Sequence, residues 1–161
     1  MMTSKVDGDV VRASTLGDEL DKNESTALAS VMGARNLRNG ELLVAENTAD
    51  HALYLLADGR LEVLSKTDGQ DAVVYTMSKG ECAGTRAFVD RAPRKATLRA
   101  FGDTTVYTLE REPFESLLAK HPSVVYKVMR ALFRITHANL MRMNQESAQL
   151  SNYINKSHGR Y

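Results

Sequence analysis

Six short apolar runs between residues 42 and 109, cut by glycine-bearing turn signals, constrain this chain more than any other feature of it. They read LLV (42–44), ALYLLA (52–57), RLEVL (60–64), AVVYTM (72–77), ATLRAF (96–101) and TTVYTL (104–109). Their β-branched and aromatic residues suit a pleated surface. Asn39-Gly40, Asp58-Gly59, Asp68-Gly69, Lys79-Gly80 and Gly102-Asp103 punctuate them, at about the 8 to 12 residue spacing of a sandwich or barrel. Leu61 and Val63 alternate with Arg60 and Glu62, which gives that strand one wet face. No long helical pattern interrupts the block, so a parallel sheet built from alternating strands and helices is excluded.

The flanks have another period. Leu20, Ala27, Leu28, Val31 and Met32 fall at helical spacing, with Asn23 or Ser25 to cap the start and Gly33 to stop the helix. Residues 1–15 are polar and aperiodic, which predicts a disordered lead. After the β block, Pro113 suits a first helical turn, and Phe114, Leu117 and Leu118 form an apolar stripe. Pro122 opens a further helix. Along it Val125, Met129, Leu132, Thr136, Asn139, Met143, Glu146, Leu150 and Tyr153 follow steps of four and three. That is a heptad seam about 43 Å long if helical, longer than a body of this size covers alone. The helix either packs on its own β domain or pairs with a second copy. Residues 156–161 are expected to fray.

Composition closes off several classes. With 161 residues, 43% hydrophobic and 25% charged, the chain is a single globular domain able to bury a core. Cys82 is the only cysteine, so no internal disulfide forms. The longest apolar run, 52–57, is too short to cross a bilayer, and MMTSKVDGDVVRAS has no apolar signal segment. The expected location is cytoplasmic. His51, His121, His137 and His158 are too scattered to hold a metal, and there is no H-x-H, G-x-S-x-G or Walker-type loop. No catalytic residue, metal or cofactor is therefore expected. Lys and Arg number 21 against 20 Asp and Glu, a formal charge of +1, which argues against a broad nucleic-acid face. Basicity is concentrated in GTRAFVDRAPRKATLRA (84–100), where Arg86, Arg91, Arg94, Lys95 and Arg99 surround one acid, Asp90.

From about residue 16 to 153 the sequence resembles the cyclic-nucleotide-binding domain family, the sensor module of catabolite-activator-type regulators. NLRNGELLVAEN resembles the family's opening strand pair, LYLLADGRLEVL its aromatic-hydrophobic-glycine hairpin, and Gly84 with Pro93-Arg94-Lys95-Ala96-Thr97 the two ends of its phosphate-binding cassette. The resemblance implies an α+β fold: a double-stranded β-helix, or jelly-roll, over 34–111, an N-terminal helix over 16–33, a short cassette helix, and C-terminal helices over 112–155. It implies a phosphate site at Gly84, Thr85, Arg86, Ala87, Arg94, Lys95 and Ala96, where first-turn N–H groups and an arginine meet the anion. It also implies base contacts from Thr136 and His137, the latter reachable from a partner chain. The ligand would be a cyclic nucleotide of the cyclic AMP or cyclic GMP type, or another phosphate anion.

Two positions depart from that pattern. Thr85 stands where the family has a glutamate that accepts the ribose 2′-hydroxyl, and Lys95 where a small or hydroxylated residue is common. Gly80-Glu81 offers a substitute for the family's glycine-glutamate, but that frame leaves twelve residues before Arg94, more than the family loop allows, whereas the Gly84 frame needs no insertion. Together Thr85 and Lys95 remove one negative charge and add one positive, which favours a more anionic ligand, or none. Only eight residues follow Tyr153, whereas a DNA-reading helix-turn-helix would need about 50. The expectation is a stand-alone regulatory sensor that dimerises through its C-terminal helix, acts on a downstream protein and binds no DNA or membrane. The alternatives are a dimer with a dead pocket and, disfavoured, a transcription regulator of the same family.

Overall fold

The structure, a computed structural model, describes residues 5–158. Its centre is an antiparallel roll of β1 (Gly33–Leu37), β2 (Leu42–Val44), β3 (Leu53–Thr67), β4 (Gln70–Met77), β5 (Cys82–Ala83) and β6 (Thr97–Leu109). The strands run in the order β1-β6-β3-β4, with β2 also on β6 and β5 on β3. This is the jelly-roll-like α+β architecture that the strand pattern and the resemblance imply.

Two expected turns do not reverse the chain. The runs at 52–57 and 60–64 form the single strand β3, and those at 96–101 and 104–109 the single strand β6. The stretch resembling a hairpin is one long bent strand. Pairing between β3 and β6 shifts register on both sides of Asp58. There Gly59 has φ +88°, and a Cβ on it would lie 2.6 Å from the Asp103 carbonyl oxygen. The glycine thus serves a bend where two backbones approach closely. Asp68-Gly69 is a true hairpin: both residues have positive φ, +53° and +79°, and Thr67 pairs with Gln70.

Leu53, Tyr54, Leu55, Leu56 and Ala57 are all buried, because β3 has a core on each face. Leu53, Leu55 and Ala57 pack with Tyr107, Leu109 and the helices. Tyr54 and Leu56 pack inside the roll with Leu61, Val106 and Leu98. A strand covered on both sides needs no polar alternation, which accounts for the unbroken apolar run.

Helix α1 (Gly8–Arg12) lies within the segment expected to be disordered. The cause is tertiary: Val11 is fully buried, the Asp7 side chain caps the helix, and the Asp7 amide donates to Tyr107 Oη at 3.1 Å. Burying such a side chain stabilises by about 1.5–3 kcal/mol, which offsets ordering costs that a short polar segment cannot meet alone. Helix α2 (Lys22–Ala29) starts after Asp21 rather than at Asn23 or Ser25. Asp21 and Glu24 form a reciprocal capping box with bonds of 2.8 and 3.0 Å. Gly33 does not stop this helix; it opens β1.

Helix α3 (Thr85–Asp90) precedes β6, and α4 (Arg111–Glu115) with a 3-10 turn (Ser116–Leu118) leads into α5 (Pro122–His158). Val124, Val128, Ala131 and Leu132 of α5 enter the helical core. Glu19 accepts from Arg130 and Arg134, and Glu24 from Lys127, fixing that end of the helix. Those hydrogen bonds, led by Arg134 on Glu19 and by Lys127 on Glu24, hold both carboxyls below their usual range. Among the described residues no helix is long and apolar enough to cross a membrane.

The heptad seam needs correction by one residue. Leu132 is only 2% exposed and belongs to the protein's own core. Val125 is half-buried against the same core, and Asn139 is half-buried beside a cavity. The exposed positions at steps of three and four are Tyr126, Met129, Phe133, Thr136, Leu140, Met143, Ser147, Leu150 and Ile154. Met129, Thr136, Met143 and Leu150 belong to both sets. Two apolar stripes run side by side on α5, and their spacing alone does not tell which one the β domain covers.

Candidate functional site

Gly84 precedes α3 with φ +87°, and no side chain caps the helix. Its second role is steric, since a Cβ there would lie 2.1 Å from Arg94 Nη1. Only glycine leaves that guanidinium its place. Arg94 itself returns from the loop after Pro93, with its amide donating to the Thr48 carbonyl at 3.2 Å and its carbonyl accepting from the Asn47 amide at 2.8 Å. Its side chain is 4% exposed. Nη2 donates to the Ala52 carbonyl and lies 3.3 Å from Asp50 Oδ1, and the guanidinium sits 5.1 Å above the Tyr54 ring.

Two of its nitrogens, Nε and Nη1, have no hydrogen-bond partner. Burial pushes the Asp50 carboxyl upward, but the Tyr54 hydroxyl, the Ala52 amide and Arg94 overcome it and hold the group below its ordinary range. Burial, and then Asp50, push the Tyr54 hydroxyl strongly up. Arg94 is therefore a buried group with one end paired and the other unsatisfied. An unmet buried donor costs about 1–3 kcal/mol, which is the chemistry of a site shaped for an acceptor.

Arg94 lines a cavity of about 250 Å³. Val44, Val63, Met77 and Leu98 form its apolar wall, while Gly84, Thr85, Arg86, Ala87, Pro93, Arg94, Lys95 and Ala96 form the polar one. Every residue that the resemblance assigned to the phosphate site thus borders one space. From α5, Thr136 Oγ1 donates to Thr85 Oγ1 at 3.5 Å, and Asn139 and Arg142 close that side of the cavity. His137 does not reach it; its ring stacks on Phe133 with centroids 6.4 Å apart.

The cyclic nucleotide-binding domain family matches residues 34–121, more than half of the chain. The chain belongs to that family. It is 32% identical over 115 residues to the cAMP-dependent protein kinase regulatory subunit of Yarrowia lipolytica, an alignment covering 71% of this chain and 30% of that protein. It is 33% identical over 94 residues to lysophospholipase nte1 of Aspergillus oryzae, covering 58% of this chain and 6% of the enzyme. The chain therefore spans less than a third of these relatives. The N-terminal domain of a transcriptional regulator from Streptomyces coelicolor A3(2) superposes with a TM-score of 0.73 at 25% identity, covering 84% of this chain and 95% of that one. Thermus thermophilus catabolite activator protein superposes at 0.74 and 26% identity, covering 86% and 63%. The family is a regulatory one, and the similarity to an enzyme touches only a small part of it.

This cyclic nucleotide-binding domain carries cavity residues outside the set expected from the sequence. Glu81 is one: Oε1 accepts from Tyr75 Oη at 2.6 Å and Oε2 from the Ser78 amide at 2.7 Å. That bond, with burial, pushes the Tyr75 hydroxyl up. Arg142 lies over the Tyr75 ring at 4.3 Å; a lone arginine in a charged helical stretch gives no sequence signal of such a contact. Cys82 also lines the cavity, and burial pushes its thiol up to about 12, so it stays protonated. The basic stretch divides. Arg99 pairs with Glu62 at 2.8 Å, outside the cavity, and Arg91, at φ +56°, is an exposed helix end. Among the described residues no group of His, Cys, Asp and Glu could hold a metal ion.

Proposed function

We propose that this chain is a regulatory sensor domain whose cavity binds a cyclic nucleotide or related phosphate anion against Gly84, Thr85, Arg86, Ala87, Arg94, Lys95 and Ala96. One observation carries the reading: Arg94 is buried and short of two acceptors at the cavity wall. A phosphate supplies such acceptors. Thr136, hydrogen-bonded to Thr85, places α5 beside the ligand, which makes that helix the route of output. The exposed heptad face of α5 supports a homodimer, and a further protein would read its state. As a reader of an intracellular nucleotide the domain would work in the cytoplasm, without catalysis.

Titration calorimetry with cyclic AMP and cyclic GMP tests the site. Removing Arg94 alone would leave the Asp50 carboxylate without its cation and destabilise the fold, so the decisive variant is Asp50→Asn with Arg94→Gln. Binding by wild type and by Asp50→Asn, lost in the double variant, is the expected result. The Asp50 pair also favours a second reading, in which Arg94 is a structural ion pair in a dimer with a dead pocket. Absence of binding by wild type together with unfolding of Arg94→Gln would establish that reading instead.

A further inference from the structure

The cavity's charge does not match a ligand with one phosphate. Its lining holds four cations, Arg86, Arg94, Lys95 and Arg142, against one carboxylate, Glu81, whose two oxygens are already hydrogen-bonded to Tyr75 and Ser78. Asp50 stands behind Arg94 and answers part of its charge. The ion-pair partner of Arg142 is Glu146, one turn along the same face of α5 and 3.9 Å away, a separation at which water and salt screen most of the attraction. Arg86 and Lys95 make no ion pair among the described residues. Arg142 is placed differently from the other two: the Tyr75 ring beneath it holds its guanidinium on the cavity wall facing α5. A single phosphodiester seated on Arg94 leaves that wall unanswered. The volume, about 250 Å³, lies just under the usual range of about 300–1,000 Å³ for small-molecule sites, so the ligand is of mononucleotide size.

We infer that the preferred ligand is a mononucleotide carrying two separated phosphate groups, one against Arg94 and the other against Arg142 with Lys95 and Arg86 at the rim. Arg142 is then the residue that sets specificity. The inference rests on the proposed ligand site at Arg94 and adds to it the class of ligand. Because Arg142 belongs to α5, the second phosphate would exchange its stacking on Tyr75 for a charge-assisted bond to the ligand.

The test compares adenosine 3′,5′-bisphosphate with cyclic AMP by calorimetry near physiological salt, using wild type, Arg142→Gln and Arg142→Lys. The bisphosphate is expected to bind at least about tenfold tighter than cyclic AMP. Arg142→Gln should weaken it about ten- to a hundredfold, the worth of a charged hydrogen bond, while changing cyclic AMP affinity by less than about threefold; Arg142→Lys should restore part of the loss. The midpoint of thermal unfolding without ligand should fall by no more than about 2–4 °C, as expected for loss of one cation–aromatic contact outside the core. Cyclic AMP binding as tightly as the bisphosphate, or equal losses for both in Arg142→Gln, overturns the inference and leaves the sensor reading standing. Failure of both compounds to bind at millimolar concentration overturns both. Tighter binding of cyclic di-AMP than of the bisphosphate overturns the mononucleotide-sized ligand.

Discussion

Gly84 and Arg94 could be read in the sequence as a pair because a short cassette holds them, but what makes them a site could not. Asp50, Ala52 and Tyr54 meet Arg94 from 40 or more positions away, and Arg142 arrives from another element. No local motif encodes such contacts; they follow from how the roll closes. Thr85 was legible as a departure, and its consequence can be measured. Thr85→Glu would place a carboxylate at the start of α3, ready to accept a ribose hydroxyl, at the expense of the 3.5 Å contact with Thr136. Cyclic AMP affinity should rise about ten- to a hundredfold, and that of a doubly phosphorylated nucleotide should fall. Calorimetry giving unchanged cyclic AMP affinity would mean that the lack of a carboxylate at position 85 does not limit binding.

Among the elements, strands were legible by composition and long helices by period, while bends and helix faces were not. Asp58-Gly59 and Asp68-Gly69 look alike in sequence, yet one bends a continuous strand and the other ends it. The difference lies in Asp103 and Thr104, which crowd Gly59, whereas a Cβ on Gly69 would have nothing within 4 Å. On α5 the neighbouring residues Leu132 and Phe133 separate the two stripes, at 2% and 74% exposure. Leu132→Ala should cost about 2–5 kcal/mol in denaturant unfolding, as cavity-forming core truncations do. Phe133→Asp should leave the fold intact and, by analytical ultracentrifugation, convert a dimer to a monomer. A stable Leu132→Ala monomer beside a dimeric Phe133→Asp would restore the seam through Leu132.

For the molecule as a whole, the five residues from Leu53 to Ala57 serve as a wall between two interiors: the roll that contains the cavity, and the helical layer on which α5 rests. Tyr54, under Arg94, and Leu55, in the core that seats α5, are neighbours in one strand. A wall with no outer side leaves little room for change. In a saturation substitution scan read out by folding, positions 53–57 should reject polar residues one after another without alternation. Beyond Gly59, where Arg60 and Lys66 are exposed while Leu61 and Leu64 are buried, acceptance should depend on the face. Relatives that drift freely in their hairpins and along α5 would then still share this stretch: the part of the sequence slowest to diverge would be one that touches no ligand and no partner, held by two neighbours that must both agree to any replacement.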